Sequence, residues 1–578
     1  MAVFFFLKIR RYLPERARGA DLAPAETILF VQAPNLRQTA LRFPNTDLYQ
    51  IWREPEVQAF LEKPRHHAPW MREWARRFEE IARVAPGEFF LAVTSAEKSN
   101  PSFVAGCSFA GSRSQAATLA ADLRGRHFPK GNVVATAENG NGEVETFRLP
   151  DGRELLSCIR GNWYLAASSR ALLDETLARF EGKAGASLAT VDAFQRTMTG
   201  LGSGQDLLVY GKPGAVFGGL LAGSSDPETK PGSPAPMAIG SMIDGTQFHE
   251  RVFFQNESAS SPGKLSHSTL KLAPQQTLAY YATNLGPLRS PGESFPGSGL
   301  LPNAASFEKA LSDHGLKWDD LSLAIGPEVG FVLEWPENAA FPTLLVAVEI
   351  RDAEKTRAFA DAITDRVALG SAWQSVQQDG VEIRSAPPQA FSFVRPALAI
   401  TERFALVGLS SEAVTTALSR LKASGSSLEH NPAFQEVSRP FPADASAVGY
   451  LDFQSLFERG YRMARPFITL SLAFSAEGNA QFDAGKLPPV ESLSKHLGPT
   501  GLSQRTTPEG TLIDSIGSIG FAPIFLGAAW GGMANAGANL EGLLPGGLGR
   551  AGAKRRQPDP ARHPNSSTPA PSKSPAKH

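Results

Sequence analysis

The sequence predicts an α+β protein, built as a tandem duplication of a mainly antiparallel sheet-plus-helices domain. The first observation is a repeat, because residues 160–217 recur in pattern as residues 401–457. The second is that short apolar runs of strand length are joined by tight turns rich in Gly, Asn and Asp, and strands joined in this way pair antiparallel. The third is that segments with apolar residues at helical spacing lie between those runs, which indicates helices packed on the sheet.

The matched positions of the repeat are mostly large apolar side chains. Trp163 matches Phe404 at a shift of 241 positions, and Phe194 matches Phe434 at a shift of 240 after one residue is lost in a Gly/Ser loop. Other clear apolar matches are Leu177 with Leu418, Tyr210 with Tyr450, and Phe217 with Phe457. The clearest polar matches are Arg179 with Arg420, Gln195 with Gln435, and Asn35 with Asn284. Each polar match has a capping or turn explanation, so what the repeat kept is packing, which indicates a scaffold.

The composition excludes several classes of protein. Lys plus Arg and Asp plus Glu each number 57 among 578 residues, so no overall charge favours a nucleic-acid partner. The two cysteines, Cys107 and Cys158, are too few for a disulfide framework or a four-ligand zinc site. One bridge between them needs neighbouring strands, and two buried free thiols are the favoured alternative.

The chain divides into five segments. Residues 23–36 and 273–285 open the two copies with the same Pro-marked strand pattern. The five segments are 1–22, an N-terminal leader or anchor remnant; 23–260, α+β copy 1; 273–521, α+β copy 2; 522–549, a Gly/Ala-rich apolar segment; and 550–578, a disordered basic tail.

Within the copies, period and turn residues place the elements. The strands are expected at 27–31, 89–93, 102–109, 331–334 and 343–350. The helices are expected at 47–62 with a break at Pro55, and at 71–85, 114–123 and 353–367. Hairpin turns are expected at 139–142 and 378–380, and a late strand follows a Gly-Thr pair at 245–246 and at 510–511.

Two stretches raise the question of membrane contact. Six apolar residues follow Met1 before Lys8, too few for a signal-peptide core or a membrane span. They indicate either a short amphipathic start or the last third of an anchor. Residues 515–540 are uncharged, but Pro523 and several glycines weaken a span there, so the alternative is a helix packed on the second copy.

The search for catalytic motifs returns little. The chain contains no HExxH zinc motif, no phosphate-binding P-loop and no GxSxG elbow, and a GxGxxG run at 547–552 has no strand before it. Two groups of residues remain as candidates, the pair His66 and His67, and His314 with Asp319 and Asp320. Neither group has a further partner that the sequence can place. We therefore expect no cofactor and no metal, and leave the catalytic residues unassigned.

A family resemblance follows from three packing motifs: PAETILFVQAPNL near the start, IWREPEVQAFLE at residues 51–62, and a strand-helix block that ends in NPAFQ. With these motifs the chain resembles an uncharacterised bacterial family of large duplicated proteins of unknown function, often preceded by one N-terminal membrane helix. The resemblance implies a place in the cell envelope, membrane-associated or periplasmic. This chain lacks a full anchor, so a cytoplasmic location is the alternative. No family site residues can be carried over.

The function that these observations predict is a non-enzymatic scaffold or binding protein of the bacterial cell envelope. Its partner would be an unknown protein or envelope component, with membrane association through the N-terminus or residues 515–540. One alternative is a hydrolase-type enzyme with a site between the repeats, where pockets often form. Another is an apolar-ligand or lipid-binding protein, which requires a continuous apolar cavity.

Overall fold

The structure is a computed structural model of the chain. It describes residues 18–63, 80–95, 101–127, 132–139, 142–148, 153–183, 185–212, 235–255, 263–286, 311–367, 373–387, 394–422, 427–474 and 482–520. Residues 1–17 of the leader, His66, His67, residues 522–549 and the basic tail lie outside these ranges, so the expectations for them are not tested. Residues 18–22, the end of the expected leader, are described, and Ala20 and Leu22 are buried in the core of the first half. No helix among the described residues is long and apolar enough to cross a membrane.

The strands of the described residues pair antiparallel, as the sequence predicts. They form one 20-stranded sheet. The first ten are β1 (Leu29–Ala33), β2 (Phe89–Ser95), β3 (Ser102–Ser108), β4 (Asn132–Asn139), β5 (Gly142–Arg148), β6 (Glu154–Arg160), β7 (Trp163–Ala167), β8 (Leu207–Gly211), β9 (Met237–Asp244) and β10 (Gln247–Gln255). The second ten are β11 (Ala279–Asn284), β12 (Ile325–Glu334), β13 (Thr343–Ile350), β14 (Gln374–Gln378), β15 (Val381–Ser385), β16 (Ala397–Ile400), β17 (Phe404–Gly408), β18 (Ala447–Leu451), β19 (Thr500–Thr507) and β20 (Gly510–Gly517).

The order of the strands across the sheet is the same in both halves. In the first half it runs β4-β5-β6-β7-β3-β2-β1-β8-β9-β10. The second half has the order β14-β15-β16-β17-β13-β12-β11-β18-β19-β20. β10 pairs with β20 and joins the halves edge to edge, from Phe248 opposite Gly517 to Gln255 opposite Gly510. The α+β class with an antiparallel sheet is confirmed, whereas a tandem duplication as the origin of the two halves stays a prediction.

Thirteen helices lie wholly within the described residues and fill connections between the hairpins. In the first half they are α1 (Gly19–Leu22), α2 (Leu36–Arg42), α3 (Asp47–Arg53), α4 (Pro55–Phe60), α5 (Arg113–His127), α6 (Arg170–Phe180) and α7 (Asp192–Leu201). In the second half they are α8 (Trp318–Ala324), α9 (Ala353–Val367), α10 (Ser411–Lys422), α11 (Pro432–Ser438), α12 (Phe453–Phe474) and α13 (Val490–Ser494). Short 3₁₀ turns lie at Phe43–Asn45, Leu188–Thr190, Ser268–Leu272, Leu428–His430 and Ala484–Lys486.

Most matched apolar positions of the repeat lie in the two main cores, one in each half. Trp163 and Phe404 are buried at equivalent places, and so are Tyr210 and Tyr450. Phe194 meets Tyr210 edge to face with ring centroids 5.0 Å apart. Phe434 meets Tyr450 in the same way at 5.6 Å. These contacts confirm that Phe194, Phe434, Tyr210 and Tyr450 pack the cores. The last matched pair differs, since Phe217 lies outside the described residues and Phe457 is half-buried and stacks on Tyr461.

Several element boundaries differ from the sequence expectation, each for a local reason. The first strand begins at Leu29 rather than at Thr27, because the Thr27 hydroxyl donates to the carbonyl of Pro24 at 2.6 Å and closes a turn. The strand expected at 331–334 extends back to Ile325 across a register shift. The turn at 378–380 is confirmed, since Asp379 and Gly380 both adopt positive φ.

The two thiols lie on strands that are not neighbours. β7 lies between β3 and β6, so that Cys107 pairs with Tyr164 and Cys158 with Leu165. Both cysteines are free. Burial raises the pKa of each thiol to about 11, which leaves almost no thiolate at neutral pH.

Candidate interaction surface

The candidate acid-base group of the second half faces solvent. His314 is exposed on the segment before α8, and Asp319 is exposed in the first turn of that helix. Asp320 accepts a hydrogen bond from the backbone N–H of Lys317 at 3.1 Å, so it closes the first turn of α8 as a helix cap. These three residues therefore lie on an outer surface and not in a cleft, and His66 and His67 are outside the described residues.

The matched polar residues stabilise the fold, as the sequence analysis expected. Arg179 donates to the carbonyl of Leu22 at 3.5 Å, and Arg420 donates to that of Leu272 at 3.3 Å, so each arginine binds the end of the first helical turn of its half. The amides of Gln195 and Gln435 likewise donate to backbone carbonyls six residues earlier, at 2.7 and 3.0 Å. Asn35 caps α2 through Gln38 N–H, whereas Asn284 donates to the carbonyl of Lys264, so this last pair differs in role.

A carboxylate at the same position of each half binds the start of that half, and it is buried in the second half and half-buried in the first. Glu328 is fully buried and accepts hydrogen bonds from Ser266 and Thr269 at 2.7–2.9 Å. Burial alone would raise the pKa of Glu328, but these donors hold it below its usual range. At the equivalent position of the first half, burial raises the pKa of Glu88, which accepts from Gly19 N–H at 2.6 Å and from Gln32. Both carboxylates have structural partners.

A small cleft lies between helix and sheet at equivalent positions of the two halves. In the second half it has a volume of about 150 Å³ and lies between α9 and β14–β16, where Arg357, Glu382 and Arg384 line it. In the first half it has a volume of about 70 Å³ between α5 and β5–β7, with Arg113 and Glu143 in its lining. Both clefts have charged linings, unlike the apolar cavity that a lipid-carrier function requires.

A second polar cluster joins the two halves away from the sheet. Glu54, at the end of α3, accepts from Lys495 at 2.9 Å and lies 2.6 Å from Nε2 of His496, which follows α13. The hydrogen bond to His496 and then that to Lys495 lower the pKa of Glu54. Nearby, the rings of Phe60 and Phe482 stack with centroids 5.1 Å apart. A hydrolase with its site between the repeats would have that site in this region. The contacts of Glu54 with Lys495 and His496 form an ion pair that joins the two halves.

The most unusual surface is an apolar row along α12. Met463, Phe467, Leu470 and Phe474 are exposed by 44%, 71%, 54% and 85% respectively. Their spacing of four, three and four residues places all four on one face of the helix. Single exposed apolar side chains are ordinary on protein surfaces, but a contiguous row marks an interaction site. We call these four residues the α12 row.

The helix is fixed to the protein in its first half. The Tyr461 hydroxyl donates to the carbonyl of Pro488 at 2.6 Å, and the Arg465 guanidinium donates to that of Leu487 at 3.4 Å. Arg459 donates to the carbonyl of Trp335. Charged residues of α12 end at Arg465, and Pro466 to Phe474 contain none. The α12 row is therefore presented by an anchored helix whose outer half is uncharged.

α12 is not among the helices that were expected from the sequence. Its apolar residues recur at helical spacing from Phe453 onward, which is the signal that could have found it. Pro466 lies inside that run and is typical of a helix end or kink. Even a correct helix prediction would not have found the surface, because periodicity shows that one face is apolar without showing whether that face is covered.

Comparisons with known proteins do not assign the chain to a family. No family model matches the sequence, and no curated protein matches it. A solved structure, crystal form I of TP0453, is similar over 45% of this chain and 83% of its own, with 15% identity and a TM-score of 0.23. Among the described residues no group of three or more His, Cys, Asp or Glu could hold a metal ion.

Proposed function

We propose that this protein is a non-enzymatic scaffold or binding protein of the bacterial cell envelope, which binds its partner through the α12 row. The observation that carries the proposal is the exposure of the row, with Phe467 and Phe474 more than two-thirds exposed on a well-anchored helix. Full burial of one such side chain contributes roughly 1.5–3 kcal/mol. Four apolar side chains are exposed to water on one face of α12, so their burial against a partner would contribute to binding.

The remaining polar chemistry supports a binding role. Arg179, Arg420, Gln195 and Gln435 donate to backbone carbonyls. Their hydrogen bonds hold the ends of helical turns, so they stabilise the two cores rather than converge on a substrate. The repeated parts of the chain thus act as a support, and the two halves present different surfaces.

The test is fractionation of the native protein in its own cells, with a carbonate wash and with protease added to intact spheroplasts. We expect the protein in the envelope fraction and its digestion from outside. A Phe467→Ser/Phe474→Ser variant of normal thermal stability should be released more readily by the wash. Recovery of the native protein in the cytoplasmic fraction, protected from protease, would contradict the proposal.

A second candidate function is an enzyme with its site between the two halves, favoured by the Glu54–His496 contact at 2.6 Å. A carboxylate that orients an imidazole is a common arrangement in acid-base catalysis. The test is a hydrolase substrate panel with the native chain and with His496→Gln. Activity that His496→Gln removes without loss of stability would favour the enzyme, and no activity in either protein would remove it.

A further inference from the structure

We infer that the α12 row docks into the surface of an anionic lipid bilayer. The inference rests on the proposed function and names the partner that the row binds. It is argued from the distribution of charge along α12, from the length of the row, and from the exposure of its aromatic residues.

Charge and apolarity are separated along the helix. Three arginines, Arg459, Arg462 and Arg465, stand against one glutamate, Glu458, in the half that is fixed to the protein. The following residues to Phe474 are uncharged, and the last of them is the most exposed member of the row. Helices that lie in a membrane interface combine an apolar face with basic residues at the depth of the lipid phosphates. The arrangement of α12 therefore suits insertion of its C-terminal half, with guanidinium groups left at the headgroups.

Two of these arginines are exposed enough for their guanidinium groups to contact lipid phosphates. Arg462 is 60% exposed, and its nearest carboxylate oxygens are 3.4 Å away on Glu491 and 3.8 Å away on Glu458. Exposed ion pairs of this kind contribute little to stability. Exchange of the carboxylate for a lipid phosphate therefore costs the protein little free energy of folding. Arg465 is also exposed, and its hydrogen bond to the carbonyl of Leu487 is long, at 3.4 Å.

A helical protein partner, a second copy included, fits the row less well. The spacing of Met463, Phe467, Leu470 and Phe474 is that of a coiled-coil seam, but the exposed part covers fewer than two heptads, and stable seams need about three or four. The positions that flank a seam normally carry charges that select the partner. In α12 they are uncharged, namely Ala464, Pro466, Ser471 and Ala473.

The test is co-sedimentation of the purified full-length chain with vesicles of phosphatidylglycerol and phosphatidylcholine, and with phosphatidylcholine alone. We expect binding to both, stronger with the anionic lipid and weakened there by added salt. Phe467→Ser/Phe474→Ser should reduce the partition coefficient by roughly tenfold per residue. Arg462→Gln/Arg465→Gln should remove the preference for the anionic lipid.

The matched control is Leu41→Ser/Leu323→Ser, which removes two side chains of 68% and 60% exposure that lie elsewhere on the surface. This variant should bind vesicles as the native chain does. Equal thermal stability of all variants shows that each remains folded. Vesicle binding that survives Phe467→Ser/Phe474→Ser, or a native chain that does not sediment with either vesicle, overturns the inference.

A second readout locates the contact. Leu470→Cys, labelled with a polarity-sensitive fluorophore, should shift its emission to shorter wavelength when anionic vesicles are added, whereas the same label at Leu323→Cys should not. The natural thiols interfere little because both are poorly ionised at neutral pH. An unchanged emission at position 470 with full sedimentation places the contact elsewhere and also overturns the inference.

The outcomes separate this inference from the proposed function. If the native protein fractionates with the envelope but fails to bind vesicles, the lipid inference fails and the proposed function stands. If Phe467→Ser/Phe474→Ser converts a dimer into the 61.8 kDa monomer, the row binds a second copy, and the lipid inference fails. A protein found in the cytoplasm contradicts the function whatever the vesicles show.

Discussion

Thr269 gives the carboxylate of Glu328 two hydrogen bonds, one from its backbone N–H at 2.8 Å and one from its hydroxyl at 2.7 Å. The same hydroxyl lies 2.9 Å from the hydroxyl of Tyr280. A buried carboxylate with this many donors is stabilised in its charged form. The cluster therefore makes the second half depend on pH and on donors that the first half lacks.

Replacement of Glu328 should show that dependence. Its pKa is depressed in the folded protein, so its contribution to stability is complete above the pKa of the unfolded chain, near 4.5, and is lost as pH falls through the lower folded value. Glu328→Gln should destabilise at pH 7 by about 2 kcal/mol and flatten the acid side of a plot of Tm against pH. An unchanged acid limb in the variant would show that other carboxyl groups determine it.

At one equivalent contact the small and the large residue are exchanged between the two halves. Gly19 lies against Phe90, where an added Cβ would come 2.8 Å from the Cβ of Phe90, whereas Thr269 faces Gly330 at the equivalent place in the second half. Gly330→Phe alone should cost about 1–3 kcal/mol because the ring would collide with Thr269. Combining it with Thr269→Gly should recover part of that cost.

A double-mutant cycle in urea measures the recovery. Residues in contact typically couple by 0.5–3 kcal/mol, whereas independent sites add. Strict additivity of Gly330→Phe and Thr269→Gly would show that the two halves do not exchange large and small residues at this contact.

The contact between Glu54 and His496 should matter more than the ion pair between Lys486 and Glu62, which also joins the halves at this end. Both side chains of the Glu54–His496 pair are mostly buried, whereas Lys486 and Glu62 are 42% and 58% exposed, and exposed pairs contribute little. Glu54→Gln should therefore lower Tm and speed hydrogen exchange in α13, while the control Glu62→Gln should change neither. Because the pKa of Glu54 is lowered, its contribution should fade as pH falls below about 4.5. Equal effects of the two substitutions would contradict this ranking.

The buried tyrosines give a matched pair of hydroxyl deletions. The Tyr210 hydroxyl is buried and has no hydrogen-bond partner among the described residues, whereas the Tyr280 hydroxyl meets Thr269. Tyr210→Phe should leave Tm unchanged or raise it, because it removes an unsatisfied buried group. Tyr280→Phe should lower stability by about 1 kcal/mol. A loss of stability in Tyr210→Phe as large as in Tyr280→Phe would mean that the Tyr210 hydroxyl has a partner.

Local chemistry made much of the fold predictable. Asp379 and Gly380 take the positive φ that their turn requires, and the matched aromatic residues Trp163 and Phe404 lie in the cores as expected. The sequence pattern predicts that β1 begins at Thr27, two residues too early, because the Thr27 hydroxyl closes a turn on Pro24. Such competition between a side chain and the strand ladder is decided by geometry that a propensity does not contain.

The sequence by itself determined the antiparallel α+β class, the hairpin turns and the residues that pack each half, because these depend on period and on neighbours close in the chain. Only the tertiary structure decided that β10 joins β20, and that Glu54 meets a histidine 442 residues away. It alone also decided that the apolar face of α12 is left in water, with Phe474 85% exposed. Amphipathic spacing states that a face is apolar, whereas the arrangement of distant elements decides whether anything covers it.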